Sequence, residues 1–126
     1  ACDIQEAAPM YPGFDNPDYI VDRIEAGAVY GAFFGDNTAN DTINTLAGII
    51  GIHEEGSIGM LYVKPQYRHR KLATALETYA FNMALENGWI PYGQIIAGNE
   101  ASMRLQESMG LYFSKSSVYW MTKNNA

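Results

Sequence analysis

The pattern of apolar and polar positions predicts a mixed α/β chain. Asn16 and Pro17 provide an N-cap and a first-turn proline, and Gly27 provides a stop, so a helix of about ten residues is expected between them. Small, β-branched and aromatic residues over 28–34 predict a strand that ends at 35–37, followed by a polar stretch to residue 45. Residues 1–15 are expected to form an irregular leading segment.

Two apolar runs joined by a polar turn predict a central antiparallel hairpin. The strands are expected over 46–53 and 58–63, and the turn over 54–57. Pro65 cannot extend the ladder, so the second strand should end near Val63 and a helix should begin at 69–70. Apolar residues at helical spacing continue that helix to a stop at Asn87 and Gly88.

The remainder predicts a strand, a helix and a last extended segment. Residues 92–97 are short and apolar, Asn99 caps a helix that runs to Met109, and 111–121 are expected to form one bent strand or two short ones. The strand-helix-strand unit over 58–97 should be a right-handed parallel crossover. The expected fold class is α/β (α+β mixed), with a central, mostly antiparallel sheet and flanking helices.

Length and composition favour one globular domain over residues 1–126. The 126 residues and 48% hydrophobic content suffice for one core. No apolar run reaches the roughly 20 residues of a membrane span, and the start at Ala1 allows for a segment upstream. One cysteine and two histidines give no credible zinc set, so no metal is expected and a reducing cytoplasm is favoured.

The charges are distributed unevenly. The net charge of −6 argues against general binding to nucleic acid or to an anionic membrane. Ten of the 14 acidic residues precede residue 56, whereas four of the 8 basic residues lie within 64–71. An acidic protein therefore carries one small cationic site at a strand-to-helix turn.

That turn, residues 66–73, has the chemistry of an anion site. The first N–H groups of a helix have no helical acceptor, and the helix dipole adds positive charge there. Arg68, Arg70 and Lys71 add three cations, which suits a pyrophosphate with a further phosphate. On charge alone, a solvated helix start is an equally good interpretation.

Two segments resemble the GNAT superfamily of N-acyltransferases. Residues 61–76 resemble its acyl-CoA signature, a strand followed by Val-x-Pro, an aromatic residue, Arg-x-x-Gly-x-Gly/Ala and an apolar helix. Residues 99–111 resemble its later Asn-x-x-Ser/Ala, Leu, Gly-Phe segment, with spacing similar to the glycine N-acyltransferase-like branch. The resemblance covers about residues 28–121. Lys71 stands at the family's first glycine, where its Cβ hinders anion approach and its charge favours it.

The resemblance implies a GNAT-type fold that binds acetyl-CoA as co-substrate, without a metal. A splayed pair of parallel strands, 58–63 and 92–97, would hold the pantetheine arm, and backbone N–H groups over 68–74 would hold the pyrophosphate. The implied cofactor-binding residues are Leu61, Tyr62, Val63, Arg68, His69, Arg70, Lys71, Leu72, Ala73, Thr74, Asn99 and Ser102.

The implied reaction is direct attack of an amine on the thioester. A backbone N–H near Leu61 or Tyr62 would polarise the carbonyl. Glu55 is the preferred general base, with His53 as the alternative. Gln106 stands where the family usually has a tyrosine that acts as the general acid. Tyr112 is therefore the preferred acid, Tyr119 a second choice, and release without a side-chain acid a third.

The resulting hypothesis is an N-acetyltransferase acting on an amine of a small molecule, an amino acid or a peptide. The acidic residues before 56 favour a cationic acceptor. A non-catalytic acyl-CoA-binding regulatory domain is the alternative, and a structural interaction module is the third reading. The family's first strand and helix are not evident in 1–27, so a missing segment or a second subunit of a homodimer would complete the acceptor side.

Overall fold

The computed structural model describes residues 17–38, 41–119 and 121. The elements are helix α1 (Pro17–Glu25), strands β1 (Val29–Thr38), β2 (Asp41–Ile52) and β3 (Ile58–Val63), a 3₁₀ turn (Pro65–Tyr67), and helices α2 (Leu72–Glu86) and α3 (Glu100–Ser108). The chain forms two compact units that divide between Gln94 and Ile95, and each is described by itself. The single domain over 1–126 stays a prediction, and the leading segment 1–15 lies outside the described residues.

The first unit contains an antiparallel sheet in the order β1-β2-β3. The hairpin between β2 and β3 and the bounds of β3 confirm the prediction. The predicted break at 35–37 and the polar stretch to 45 are wrong, because β1 continues to Thr38 and pairs with a β2 that begins at Asp41. Ladder pairing such as Gly35 with Asn44 outweighs the local turn preference of these residues.

Each of the two ladders contains an irregularity. Ala32 pairs with Gly48 but Phe33 pairs with Leu46, so Ala47 is an extra residue in β2. In the second ladder, Ile49 pairs with Tyr62 and Gly51 pairs with Gly59. The pairing therefore advances two residues along β2 but three residues along β3, so β3 contains one extra residue. Met60 lies within that step with φ of +54°. Such bulges bend a strand and redirect the side chains beyond them.

Helix α2 covers one face of the sheet. Its buried Leu76, Ala80 and Ala84 form a cluster with Ile50 and Ile58. A second cluster joins Leu46, Ile49 and Tyr62. Because Ile49 and Ile50 are adjacent in a strand, the two clusters lie on opposite faces of the sheet. Helix α1 contributes Ile20, which is 1% exposed.

Helix α2 begins two residues later than predicted. His69 and Lys71 have φ of +64° and +59°, values that a right-handed helix cannot include, so the first helical residue is Leu72. The helix ends at Glu86, and Gly88 follows with φ of +75°, which confirms the predicted stop.

The parallel crossover is present in reduced form. Ile58 pairs with Gly93 in a parallel bridge, and the Ile58 N–H donates to the Tyr92 carbonyl at 2.7 Å. The expected strand over 92–97 was too long, because the ladder contains only this bridge and no strand is assigned from Gln94 to Ala97. The mixed α/β class with an antiparallel sheet and flanking helices is confirmed.

The second unit contains α3, whose start confirms the predicted cap. The Ser102 N–H donates to Asn99 Oδ1 at 3.2 Å. The predicted strand over 111–121 is wrong for the residues described, 111–119 and 121, which form no ladder and are mostly exposed. No helix in the described ranges is both long and apolar enough to cross a bilayer.

Candidate functional site

The cationic turn links the end of β3 to the start of α2. Pro65 opens a single 3₁₀ turn, and Arg68 follows in extended conformation with its N–H donating to the Pro65 carbonyl at 3.3 Å. The proline therefore ends the strand, as predicted, and the turn brings residues 68–71 directly before the helix.

Two residues of this turn adopt left-handed backbone conformations. Lys71, at the N-cap of α2, has φ of +59° and makes no side-chain capping bond. His69 has φ of +64°. A non-glycine residue in this region costs roughly 1 kcal/mol or more. The glycine of the family's signature would therefore be the less strained residue at position 71.

The first turn of α2 presents donors without helical acceptors. The first helical hydrogen bond is that from the Ala75 N–H to the Lys71 carbonyl, at 3.1 Å. The N–H groups of Leu72, Ala73 and Thr74 precede it, and the first turn contains no acidic residue. This start of a 15-residue helix therefore favours an anion through both its N–H groups and its dipole.

The two arginines of the turn are held beside that helix start. Arg68 Nε donates to the Val63 carbonyl at 3.0 Å, and its guanidinium lies 5.9 Å from the ring of Tyr62. Arg68 thus binds a β3 carbonyl on a residue that the resemblance assigned to the pantetheine arm. Arg70 lies 6.0 Å from the ring of Phe34.

An aromatic pair supports Arg70. Phe34 of β1 stacks on Tyr67 of the 3₁₀ turn, with ring centroids 5.1 Å apart, and Arg70 is 5.9 Å from the Tyr67 ring. Cation–π contacts of this kind contribute about 0.5–1 kcal/mol at exposed sites. They restrict where the exposed Arg70 side chain lies and so reduce the ordering needed when it binds an anion.

The β3 residues predicted to contact the arm lie at the bulge. Val63 pairs with Gly48 and Tyr62 pairs with Ile49, but Leu61 has no partner in the β2 register. On the other edge of β3, the described part of the first unit adds only the bridge at Ile58. The backbone at Leu61 therefore lies outside the regular ladder between β2 and β3, and its predicted contact with the thioester stays a prediction.

Glu55, the predicted general base, lies in the turn between β2 and β3. Ser57, two residues later, is 2% exposed and donates its hydroxyl to Glu55 Oε1. Burial alone would raise the pKa of Glu55, but the hydrogen bonds and the charges of His53 and Arg23 outweigh it and lower the pKa below its usual 4.5.

A second pair of side chains near the hairpin is formed by His53 and Tyr19. The Nδ1 of His53 is 2.9 Å from the hydroxyl of Tyr19 in α1, and the rings stack at 5.9 Å between centroids. His53 was predicted from the sequence as an alternative base, whereas Tyr19 was not predicted. The two residues are 34 positions apart, and no local pattern marks the tyrosine.

The site residues predicted in the second unit have contacts inside that unit. Asn99 is used as the α3 cap, with Ser102 as its donor, and the Gln106 carbonyl accepts from the Leu111 N–H at 3.2 Å. Tyr112 and Tyr119 are 89% and 82% exposed. The proposed acid therefore stays a prediction. Within the described ranges, no group of three or more His, Cys, Asp or Glu side chains could hold a metal ion.

The central sheet with an irregular strand, the crossover helix and the cationic turn before α2 together point to an acyltransferase of the GNAT type. The sequence model of the acetyltransferase (GNAT) family matches residues 3–111. The chain belongs to this family, and acyl transfer is its class of reaction. The GNAT family and the fold class predicted from the sequence are thereby confirmed, and the glycine N-acyltransferase-like branch stays a prediction.

Solved structures show the same fold. A ribosomal-protein-alanine N-acetyltransferase from Brucella melitensis biovar Abortus 2308 has a TM-score of 0.60 at 19% identity, covering 97% of this chain and 94% of its own. A predicted acetyltransferase with acetyl-CoA from Clostridium acetobutylicum has a TM-score of 0.60 at 14% identity, covering 97% and 86%. AAC(6')-Iy in complex with the bisubstrate analogue CoA-S-monomethyl-acetylneamine gives 0.61 at 14%, covering 90% and 84%. No curated protein sequence matches this chain.

Proposed function

We propose that this protein is an N-acetyltransferase that transfers the acetyl group of acetyl-CoA to an amine of a small molecule, an amino acid or a peptide. The observation that carries the proposal is the start of α2, where the N–H groups of residues 72–74 precede the first helical hydrogen bond. A diphosphate accepts several such N–H donors at once.

The residues of the cationic turn suit the phosphates of that donor. Arg70 and Lys71 are exposed beside the helix start and carry the charge needed to neutralise a diphosphate. Arg68 is engaged with the Val63 carbonyl and so also stabilises the turn. The positive end of the helix destabilises the bare cations by up to about 1 kcal/mol each, and a bound anion reverses this cost.

The chemistry needs little side-chain participation. The amine nitrogen forms a bond to the thioester carbonyl carbon, the carbon–sulfur bond breaks, and the sulfur leaves with the electron pair. The bulge at Met60 frees the neighbouring backbone of β3, at Leu61, for contact with the carbonyl oxygen. Orientation of the two reactants supplies much of the acceleration.

The acceptor is proposed to be cationic before it reacts. Ten acidic residues precede residue 56 and the net charge is −6, which attracts an ammonium group. Two of the neighbours are compatible with such acceptors: one is named a ribosomal-protein-alanine N-acetyltransferase and the other binds an acetylneamine analogue. The resemblance to the glycine N-acyltransferase-like branch makes the amino acid glycine a third candidate acceptor.

The test is release of free thiol from acetyl-CoA with three acceptors: a peptide with N-terminal alanine, neamine and glycine. We expect turnover with at least one amine, and thermal stabilisation by acetyl-CoA in the absence of any amine. Absence of both stabilisation and turnover would refute the proposal.

The same experiment separates the main alternative, a non-catalytic acyl-CoA-binding regulatory domain. Gln106, which cannot donate a proton usefully, stands at the family's acid position and motivates it. It predicts stabilisation by acetyl-CoA without thiol release from any amine.

A further inference from the structure

His53 lies where helix α1, the hairpin and β3 meet. It follows the last residue of β2, and its half-buried ring stacks on Tyr19. The 2.9 Å contact between its Nδ1 and the Tyr19 hydroxyl fixes the ring orientation. In the tautomer that carries the proton on Nδ1, Nδ1 donates to the Tyr19 hydroxyl and Nε2 is the nitrogen that accepts a proton.

The Nε2 edge of the ring lies against the backbone of β3. A Cβ built on Gly59 would be 2.7 Å from Nε2 and 2.9 Å from Cδ2. Only glycine therefore leaves room for the imidazole in this position. Gly59 is two residues before Leu61, so at most about 7 Å of strand separates the ring from the thioester-facing backbone. Two hydrogen-bonded water molecules span such a gap, at about 2.8 Å for each hydrogen bond.

The charged groups around His53 are also defined. On α1, Arg23 donates from Nε and Nη2 to the Ile52 carbonyl, at 2.9 and 2.8 Å. In the hairpin, the Glu55 carboxylate accepts from Ser57. The hydrogen bond from Ser57 and the lowered pKa make the Glu55 carboxylate a poor proton acceptor for an ammonium group.

We propose that His53, oriented by Tyr19, is the proton acceptor for the acceptor amine, directly or through bridging water. This rests on the proposed function. Nε2 takes one proton from the ammonium, and the neutral nitrogen then forms the amide bond as the carbon–sulfur bond breaks. The nitrogen's second proton passes to the departing thiolate, and the imidazolium returns its proton to solvent. Tyr19 is the positioning residue.

The test compares His53→Asn with the wild type in the thiol-release assay with the three amines. Asparagine keeps a polar atom near Nδ1 for Tyr19 and lacks Nε2. We expect kcat to fall by about 100-fold or more and the rise of kcat/KM with pH to disappear, with stabilisation by acetyl-CoA unchanged. Tyr19→Phe should shift the pH profile, whereas the matched control Tyr79→Phe, on an exposed tyrosine of α2, should leave it unchanged.

Gly59→Ala provides a second route if His53→Asn does not fold. Its methyl group displaces the ring while the histidine remains, so the same loss of kcat is expected. Activity of His53→Asn or Gly59→Ala within about tenfold of an active wild type would overturn the inference and leave the proposed function intact. A wild type that neither binds acetyl-CoA nor turns over would overturn both.

Discussion

At the scale of single residues, the backbone conformation of Lys71 sets the cationic turn apart from the family's signature. Its φ of +59° is a conformation that glycine adopts without penalty. Compared with glycine, the lysine adds a positive charge at the start of α2, but it also introduces backbone strain and the volume of a Cβ.

Substitution of Lys71 should separate strain from charge. Lys71→Gly and Lys71→Ala both remove the ammonium group, but only glycine relieves the left-handed backbone, so the glycine variant should be more stable by about 1 kcal/mol. Urea denaturation of the two variants measures the difference. An alanine variant as stable as the glycine variant would show that residue 71 does not hold this conformation in solution.

The pair Ser57 and Glu55 makes stability depend on pH. The pKa of Glu55 is lower in the folded than in the unfolded chain, so its ionised form stabilises the fold above about pH 4.5. That contribution is lost as pH falls from 4.5 through the folded pKa.

Ser57→Ala should therefore cost more stability at neutral pH than in acid. Urea denaturation at about pH 7 and pH 3.5 gives the two free-energy differences. Ser108→Ala is the matched control, since its hydroxyl donates at 2.7 Å to the Leu105 carbonyl, which does not titrate. Equal costs of Ser57→Ala at both pH values would contradict the hydrogen bond.

At the scale of elements, the start of α2 is the feature on which the proposed donor site depends. A carboxylate in the first turn stabilises a helix by about 0.3–1 kcal/mol, but it competes with a bound phosphate for the same N–H groups. The free and bound proteins should therefore respond in opposite directions.

Ala73→Glu places this carboxylate at the second helical position. We expect a small rise in Tm of the free protein together with a loss of stabilisation by acetyl-CoA. Asn82→Glu, ten residues from Leu72 on the same helix, adds the same charge and should retain that stabilisation. Retained stabilisation in Ala73→Glu would place the donor elsewhere.

The elements that the sequence predicted well are those whose ends are set by one residue. Pro65, Asn87 with Gly88, and Asn99 each determine local backbone geometry, and the structure has an element boundary at each of them. The start of α2 was placed too early because histidine and lysine rarely adopt left-handed backbone, and the glycine of the family's signature at position 71 was the one sign of it.

At the scale of the whole molecule, the errors come from pairing over distance. β1 and β2 extend through residues that look like turn formers because each provides the other's ladder partners. Residues 111–119 alternate like a strand but have no ladder partner. The cationic turn followed from sequence, whereas the contact of Tyr19 with His53 required the fold.

The bulge at Met60 adds one residue to β3 and so shifts the alternation of its side chains between the two faces of the sheet. In a regular strand, Ile58 and Leu61 would point to opposite sides, yet Ile58, Leu61 and Val63 all pack toward α2. Gly59, before the inserted residue, meets the histidine ring, and Tyr62 joins the cluster on the other face. β3 thus contributes side chains to both faces of the sheet, before and after the bulge. Deletion of Met60 would therefore remove the irregularity and leave the side chains of both halves of β3 on their present faces, whereas deletion of a residue from a regular stretch would exchange the faces of all residues beyond it.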